Sequence, residues 1–306
     1  MKKRIGAMLR KILPMKIYKL VANGFIIVPS YYSNIIKEAE RHYDMAMNDD
    51  SDEKSLLLLR KYAHIIDKGL HRRDASPGHS KSIYSLLQAS INRLENTPKA
   101  GDPTFIWAKE KAKKYRELQT HPENFVAFHN ETSLPKVSYD DLFSLIKQRR
   151  SNRIFEEKLL TNSVVQQLKV VVDWAANSCN KQPIRLFCTN SPELAKKCLS
   201  CCKGGTGFSE FIPSFWVFTA DVRGYIYPSE IFLPAIDTSL GAQNLFLSAT
   251  TLGLSGTILS WAQKDADEEK LLRSLLSIPD CYEIIFCAVL GYALVNSVPP
   301  QRKNII

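Results

Sequence analysis

No acidic residue precedes Glu38, no cysteine precedes Cys179 and no histidine follows His129. No apolar run reaches the ~18 residues that a membrane-spanning helix needs. The longest early candidate, Leu20 to Val28, is interrupted by Asn23 and Gly24. These absences exclude a polytopic membrane protein. They also leave the Cys198-x-x-Cys201-Cys202 cluster without nearby imidazoles for a mixed zinc site. A secretory leader is not expected, because Pro14, Lys16 and Lys19 break the apolar segment and no small-residue cleavage site follows. The seven cysteines are odd in number and confined to the second half of a long chain. Free thiols in a reducing cytoplasm are therefore expected rather than a disulfide framework. At 45% hydrophobic and 24% charged residues, the 306-residue chain is neither disordered nor collagenous.

What charge imbalance there is lies at one end. Eight of the 41 Lys and Arg residues fall within the first 37 positions, leaving 33 basic against 31 acidic residues in the rest. A nucleic-acid-binding domain would spread its basic stripe over the folded body, so no nucleic-acid partner is expected. Ile5, Met8, Leu9 and Ile12 fall on one helical face among basic residues before Pro14. Such a basic amphipathic arm (1–30) suits an anionic membrane surface reached through residues 1–20, packing on the body, or a frayed terminus. The expected location is the cytoplasm, with peripheral attachment at the inner face of the membrane as the membrane reading of the arm.

A helical region follows over 31–135. Helices are expected over Ser55–Leu70, stopped at Gly69, and over Ser82–Leu94 and Thr104–Leu118. Pro122 and Pro135 bracket a boundary. Over 136–306 helices and strands alternate. Ser138 caps a short helix, and Ser163-Val-Val-Gln166 reads as a capping box. Strands are expected over Ile184–Thr189, Phe215–Ala220 and Tyr282–Leu290. Helices are expected from Ser191, over Pro234–Leu252 and over Ala266–Leu276. Few strands separated by helices leave α+β and α/β open.

Three stretches carry candidate chemistry. Arg149, Arg150, Ser151 and Arg153 place three guanidinium forks and a hydroxyl within five residues, which suits phosphate. They equally suit a solvated basic helix end, where positive charge complements the dipole. Ser178, Cys179, Asn180 and Gln182 follow a buried helical stripe and precede Pro183. Their amides and hydroxyl suit the polar edge of a planar heterocycle, or simply a turn. Gly253 and Gly256 follow the long helix, outside any strand-turn-helix fingerprint. Leu194, Cys198, Cys201 and Cys202 share helical spacing and read as apolar packing rather than a metal site. His64, His71 and His79 read as surface or helix-end residues, and Glu38 to Arg41 as a solvated face.

In this order, the pieces resemble the flavin-dependent nitroreductase family. The likeness rests on Arg149-Arg-Ser-Asn-Arg-Ile-Phe155, Asn177-Ser-Cys-Asn-Lys-Gln-Pro183, Gln243-Asn244 with Ala249-Thr-Thr-Leu-Gly-Leu-Ser255, Ile278-Pro279, Leu290-Gly-Tyr292 and Pro299-Pro-Gln-Arg302. It spans about Tyr139 to Arg302. A further likeness, to a branch associated with bacterial surface-polysaccharide synthesis, rests on Cys202-Lys-Gly-Gly-Thr-Gly-Phe208, Thr219-Ala-Asp-Val-Arg-Gly224 and His64-Ile-Ile-Asp-Lys-Gly-Leu70. The resemblance implies an α+β, nitroreductase-like fold: a mainly antiparallel central sheet flanked by helices, here with a helical N-terminal extension.

It further implies FMN bound at the interface of a homodimer. Arg149, Arg150, Ser151, Arg153 and Arg302 would hold the phosphate and ribityl chain, with Arg153 also near the pyrimidine edge. Ser178, Cys179, Asn180 and Gln182 would approach from the partner subunit, while Gly256, Leu259 and Ser260 would line the ring with backbone groups. The implied reaction is hydride transfer through flavin N5, from a reduced nicotinamide nucleotide to a small electron-poor acceptor. No side-chain catalyst and no metal are implied. The sequence departs from the family at Asn177, at Ile184 and over Gly204 to Glu210, which has no cation after Lys203. The helical region is expected to cover the flavin. The alternative is a catalytically silent flavin-fold accessory protein docked at the membrane surface.

Overall fold

A computed structural model describes residues 28–72, 74–125, 133–261, 266–295 and 297–302. The basic arm expected over 1–30 lies almost wholly outside these residues. Among the described residues, no helix is long and apolar enough to cross a membrane.

The N-terminal region contains α1 (Val28–Asn48), α2 (Asp52–Leu70), α3 (Lys81–Leu94) and α4 (Pro103–Thr120). Ser51 caps α2 by accepting from the Lys54 amide, and Asp102 caps α4 with Pro103 in the first turn. Leu59, Ala63, Ile66 and Leu70 of α2 form one core with Leu87 and Leu94 of α3 and Phe105, Ala112 and Tyr115 of α4. Contrary to expectation, Gly69 does not stop α2. The helix runs on to Leu70 and His71 caps it. Gly69 serves packing instead: a Cβ there would lie 2.6 Å from His79 Nε2.

The rest of the chain folds around four strands, β1 (Ile184–Thr189), β2 (Phe215–Asp221), β3 (Leu254–Ser260) and β4 (Tyr282–Tyr292). They pair in the order β1-β2-β4-β3, and every pairing is antiparallel. This selects α+β over α/β. All seven residues of β2 are buried, because the sheet is covered on both faces. Phe215 and Val217 join Cys287, Val289 and Leu259 beneath α7 (Pro192–Ser200) and α9 (Ala266–Leu276). Trp216 and Phe218 join Ala288 and Leu290 beneath α6 (Asn162–Asp173) and α8 (Leu233–Thr251). The two-residue side-chain period of a strand produces this division.

Two sequence expectations are corrected here. Helix α6 starts at Asn162 with Thr161 as its cap, two residues before the expected box at Ser163. The Thr161 hydroxyl reaches the Val164 amide first. Glu38 to Arg41 is no solvated face. Arg41 donates to Glu38, to the Asp280 carbonyl and to Glu283 of β4, tying α1 to the sheet end. Arg223 makes a second tie, donating to Asp221 and to Asp49 and Ser51 before α2.

Candidate functional site

After α5 (Tyr139–Gln148), the chain leaves the helix as an extended ribbon over 149–155 beside edge strand β3. The strand holds it through side chains: Ser255 Oγ donates to the Arg150 carbonyl (3.1 Å) and Thr257 Oγ1 to the Asn152 carbonyl (2.7 Å). The C-terminal stretch holds its other edge. Ser297 Oγ donates to the Ser151 carbonyl (3.1 Å), Leu294 N to the Ile154 carbonyl (3.1 Å) and Glu156 N to the Tyr292 carbonyl (2.9 Å). Buried Asn152 locks the ribbon. Its Nδ2 donates to the Val295 carbonyl (2.8 Å), while its Oδ1 accepts from the amides of Arg153 (2.9 Å) and Ile154 (3.3 Å). A cavity of about 390 Å³ opens here, lined by Gln148, Arg150, Asn152, Gly253, Ser255 and Ser297 among others.

The guanidinium groups converge. Burial pushes the Arg149 pKa below its ordinary value, and the neighbouring charges of Arg302 and then Arg150 push it further the same way. Two basic segments separated by about half the chain are thus close enough to repel. Among the described residues, no carboxylate pairs with Arg149, Arg150, Arg153 or Arg302. Unmatched like charges beside a cavity are what a phosphate-bearing group would neutralise, so the donor set fits the phosphate end of a mononucleotide. Ser151 is exposed on the same ribbon. Arg153 turns toward the 207–209 loop, its guanidinium 5.8 Å from the Phe208 ring centroid and its carbonyl accepting from Ser209 N (2.9 Å).

Ser178, Cys179, Asn180 and Gln182 form a second centre. All four are half-buried, around a fully buried Lys181. Cys179, Asn180 and Gln182 have φ of 55°, 52° and 52°, a left-handed conformation that is costly for residues with a Cβ. The loop is held from within by Asn177 Oδ1, which accepts from Gln182 N (2.8 Å). Asp237 of α8 holds it from beneath, its Oδ1 accepting from both Ser178 N (3.0 Å) and Ser178 Oγ (2.9 Å). Tyr225 OH donates to the other Asp237 oxygen (2.8 Å), and burial followed by that carboxylate's charge raises the tyrosine's pKa. Lys181 Nζ donates to Glu230 (2.6 Å) and sits 4.2 Å from the Tyr225 ring centroid. Burial lowers the Lys181 pKa, and Glu230 opposes that shift.

The two centres do not meet within one chain. Asp237 lies at the start of α8, whereas Thr250 at its end lines the arginine cavity. Thirteen residues of helix separate them by roughly 20 Å. Gly256, Leu259 and Ser260 lie along β3 beside the arginine ribbon. Gly256 is pressed against β4, Leu259 points into the core and Ser260 is exposed.

Asn152, Thr257, Asp237, Glu230 and Lys181 were not expected as site residues. Only Asp237 left a signal: it is the sole charge in the otherwise uncharged α8. The cysteine cluster packs as expected. Cys198, Cys201, Cys202 and Cys287 share one apolar core, and burial, helped by the neighbouring thiols of Cys201 and Cys202, pushes the Cys198 pKa up to about 12. Such thiols are inert. Among the described residues, only Glu38, His42 and Glu283 bring three ligand-type atoms within 4.8 Å, and the Arg41 guanidinium bonds both acids.

Comparison with known proteins bears on the same half of the chain. Residues 217–292 match the model of the nitroreductase family. A curated protein of Archaeoglobus fulgidus, named "Putative NADH dehydrogenase/NAD(P)H nitroreductase", is 24% identical over 156 residues, covering 50% of this chain and 86% of its own. Among solved structures, an FMN-dependent nitroreductase of Clostridium difficile R20291 aligns with a TM-score of 0.46 and 20% identity, over 52% of this chain and 91% of its own. A nitroreductase of Desulfitobacterium hafniense DCB-2 with bound FMN aligns with a TM-score of 0.43 and 19% identity, over 53% and 94%. The family-model match falls on the two central strands and the elements between them, and over that stretch this chain is similar to nitroreductases.

Proposed function

We propose that the chain is an FMN-dependent oxidoreductase of nitroreductase type that works as a homodimer. The closeness of Arg149, Arg150 and Arg302, with Arg150 lining the cavity and no described carboxylate to neutralise them, carries this reading. FMN, when bound, supplies the hydride chemistry at N5, accepting from a reduced nicotinamide nucleotide and giving to a small electron-poor acceptor. The chain's own residues bind and orient. Arg149, Arg150 and Arg302 hold the phosphate, Ser151 the ribityl chain, and Arg153 the pyrimidine edge, where a cation favours negative charge on the reduced ring. Gly256, Leu259 and Ser260 line the ring through the β3 backbone. As the acceptor's setting we propose surface-polysaccharide synthesis, on the likeness of 202–208 and 219–224 to that branch.

The second subunit completes the site. Helix α8 and the residue before it expose Phe232, Ile236 and Leu240 in a row, and α5 buries none of its residues while exposing Leu142, Phe143 and Ile146. A two-fold axis crossing α8 would cover these faces with a second copy. It would also set the start of one α8 beside the end of the other. That brings Ser178, Cys179, Asn180 and Gln182 of one copy to the arginine cavity of its partner.

The purified protein should carry or bind FMN and sediment as a dimer, and anaerobic NADH or NADPH should bleach the flavin absorption. An R149Q/R302Q double variant should stay dimeric while binding FMN weakly. A colourless protein that fails to quench FMN fluorescence on titration would refute the proposal.

A further inference from the structure

Resting on the reading above for what the loop faces, we infer that helix α2 of the N-terminal region splints loop 177–182, with Arg60 as its positioning residue. Three of four consecutive loop residues hold left-handed backbone without being glycine, so the loop keeps its shape only where its surroundings over-determine it. Asn177 and Asp237 tie residues 178 and 182. Their ties leave the middle of the loop, at Lys181, to be fixed from elsewhere.

That fixing comes from α2. Arg60, buried, donates through Nη1 to the Lys181 carbonyl (3.4 Å). The guanidinium is itself aimed by α4: its Nε donates to Thr104 Oγ1 (2.8 Å) and its Nη2 to Asp102 Oδ2 (3.2 Å). The next residue reaches the carboxylate that holds the other end of the same lysine, at ion-pair distance. Lys61 Nζ lies 4.0 Å from Glu230 Oε1, the atom that accepts from Lys181 Nζ. One turn earlier Leu57 closes the gap. A Cβ placed on Gly224 would sit 3.5 Å from both Leu57 Cβ and Lys181 Cδ. Residues 57, 60 and 61 lie at helical spacings that share one face, and that face is applied to the loop.

The nitroreductase-family match begins only at residue 217, so this helix lies outside it. On this inference the helical region supports residues that would meet the cofactor. Of the two centres, the loop is the one that leans on it. The arginine ribbon takes its bonds from β3 and the C-terminal stretch, and the loop takes its central bond from α2.

The test is hydrogen exchange read by mass spectrometry on the full chain, paired with FMN titration and with kcat and KM for NADH. Arg60→Met removes a charge-assisted bond to backbone, and exchange over 177–182 should rise on the order of tenfold. Exchange over β2 and β4 should be unchanged, the FMN dissociation constant should rise, and Arg60→Lys should restore part of the protection. Ile91→Ala, in the helical core away from the loop, controls for lost stability. If it opens the loop as much as Arg60→Met at equal loss of Tm, the splint is refuted. If wild type binds FMN and Arg60→Met leaves both loop exchange and FMN affinity unchanged, the splint is refuted while the flavin reading stands. If wild type binds no FMN, the flavin reading falls, and the cofactor-facing role of the loop with it.

Discussion

Replacing Asn152 with alanine should disable the arginine ribbon without touching an arginine. The side chain is 4% exposed and makes three hydrogen bonds, one to the Val295 carbonyl and two from the amides of Arg153 and Ile154. Alanine leaves all three backbone groups without that partner. Each lost bond is worth about 0.5–1.5 kcal/mol, and more where the orphaned group stays buried. The sum is about 2–4 kcal/mol. At about 2–4 °C per kcal/mol for a domain of this size, the melting temperature should fall by roughly 10 °C. FMN affinity should fall further than stability predicts, because in the proposed site the ribbon would aim Arg149 and Arg150 at the phosphate. Asn152→Asp gives a sharper comparison. It keeps the acceptor for the two amides, loses the donor to Val295 and puts a negative charge beside the phosphate. A buried carboxylate oxygen would face the Val295 carbonyl, so the variant should be no more stable than Asn152→Ala, and it should bind FMN poorly. Thermal melts followed by circular dichroism, with FMN fluorescence titration at a temperature where both variants are folded, decide the matter. A melting point within 2 °C of wild type, or unchanged FMN affinity in Asn152→Ala, would refute the reasoning.

Gly256→Ala places a Cβ 2.2 Å from the Val289 carbonyl oxygen, so β3 must pull away from β4. It should cost about 3 kcal/mol, read from urea unfolding, and weaken FMN binding. Burial pushes the Asp102 carboxyl up, but the bonds from Thr104 and the charge of Arg60 outweigh it and hold the group below its ordinary value. A depressed folded pKa gives stability that is complete above the unfolded value near ~3.9 and is lost as pH falls through the folded one. The stability gap between wild type and Asp102→Asn should therefore be constant at neutral pH and close below about pH 4. Ile236→Glu, on the exposed row of α8, should yield a monomer by sedimentation velocity that no longer reduces an acceptor. A dimer would argue against that face as the contact.

The sequence discloses elements that obey local rules. Ser138 and Ser191 cap the helices that their positions announce, and Ile184–Thr189 and Ala266–Leu276 have the bounds their patterns suggest. Strand β3 stays hidden, because Leu-Ser-Gly-Thr-Ile-Leu-Ser lacks clean alternation and owes its state to the β4 edge. Arg149 and Arg302 can be proposed as partners from motif order alone, while their proximity depends on the C-terminal stretch returning along the ribbon. Lys181 and Arg60 are illegible for the same reason. A lysine in a polar turn and an arginine in an amphipathic helix read as solvated groups. Burial here follows from contact between residues 121 positions apart, which no local pattern encodes.

In the proposed dimer, the roughly 20 Å that α8 puts between the arginine ribbon and the Ser178 loop would make each catalytic unit a joint product of two polypeptides. Two inactive proteins, one crippled at Arg149 and Arg302 and the other at Asp237, would each donate the half its mate lacks. Mixed and allowed to exchange chains, half of the pairs would be hybrids. Every hybrid would carry one intact and one doubly damaged centre, restoring about a quarter of wild-type turnover from parents that have none.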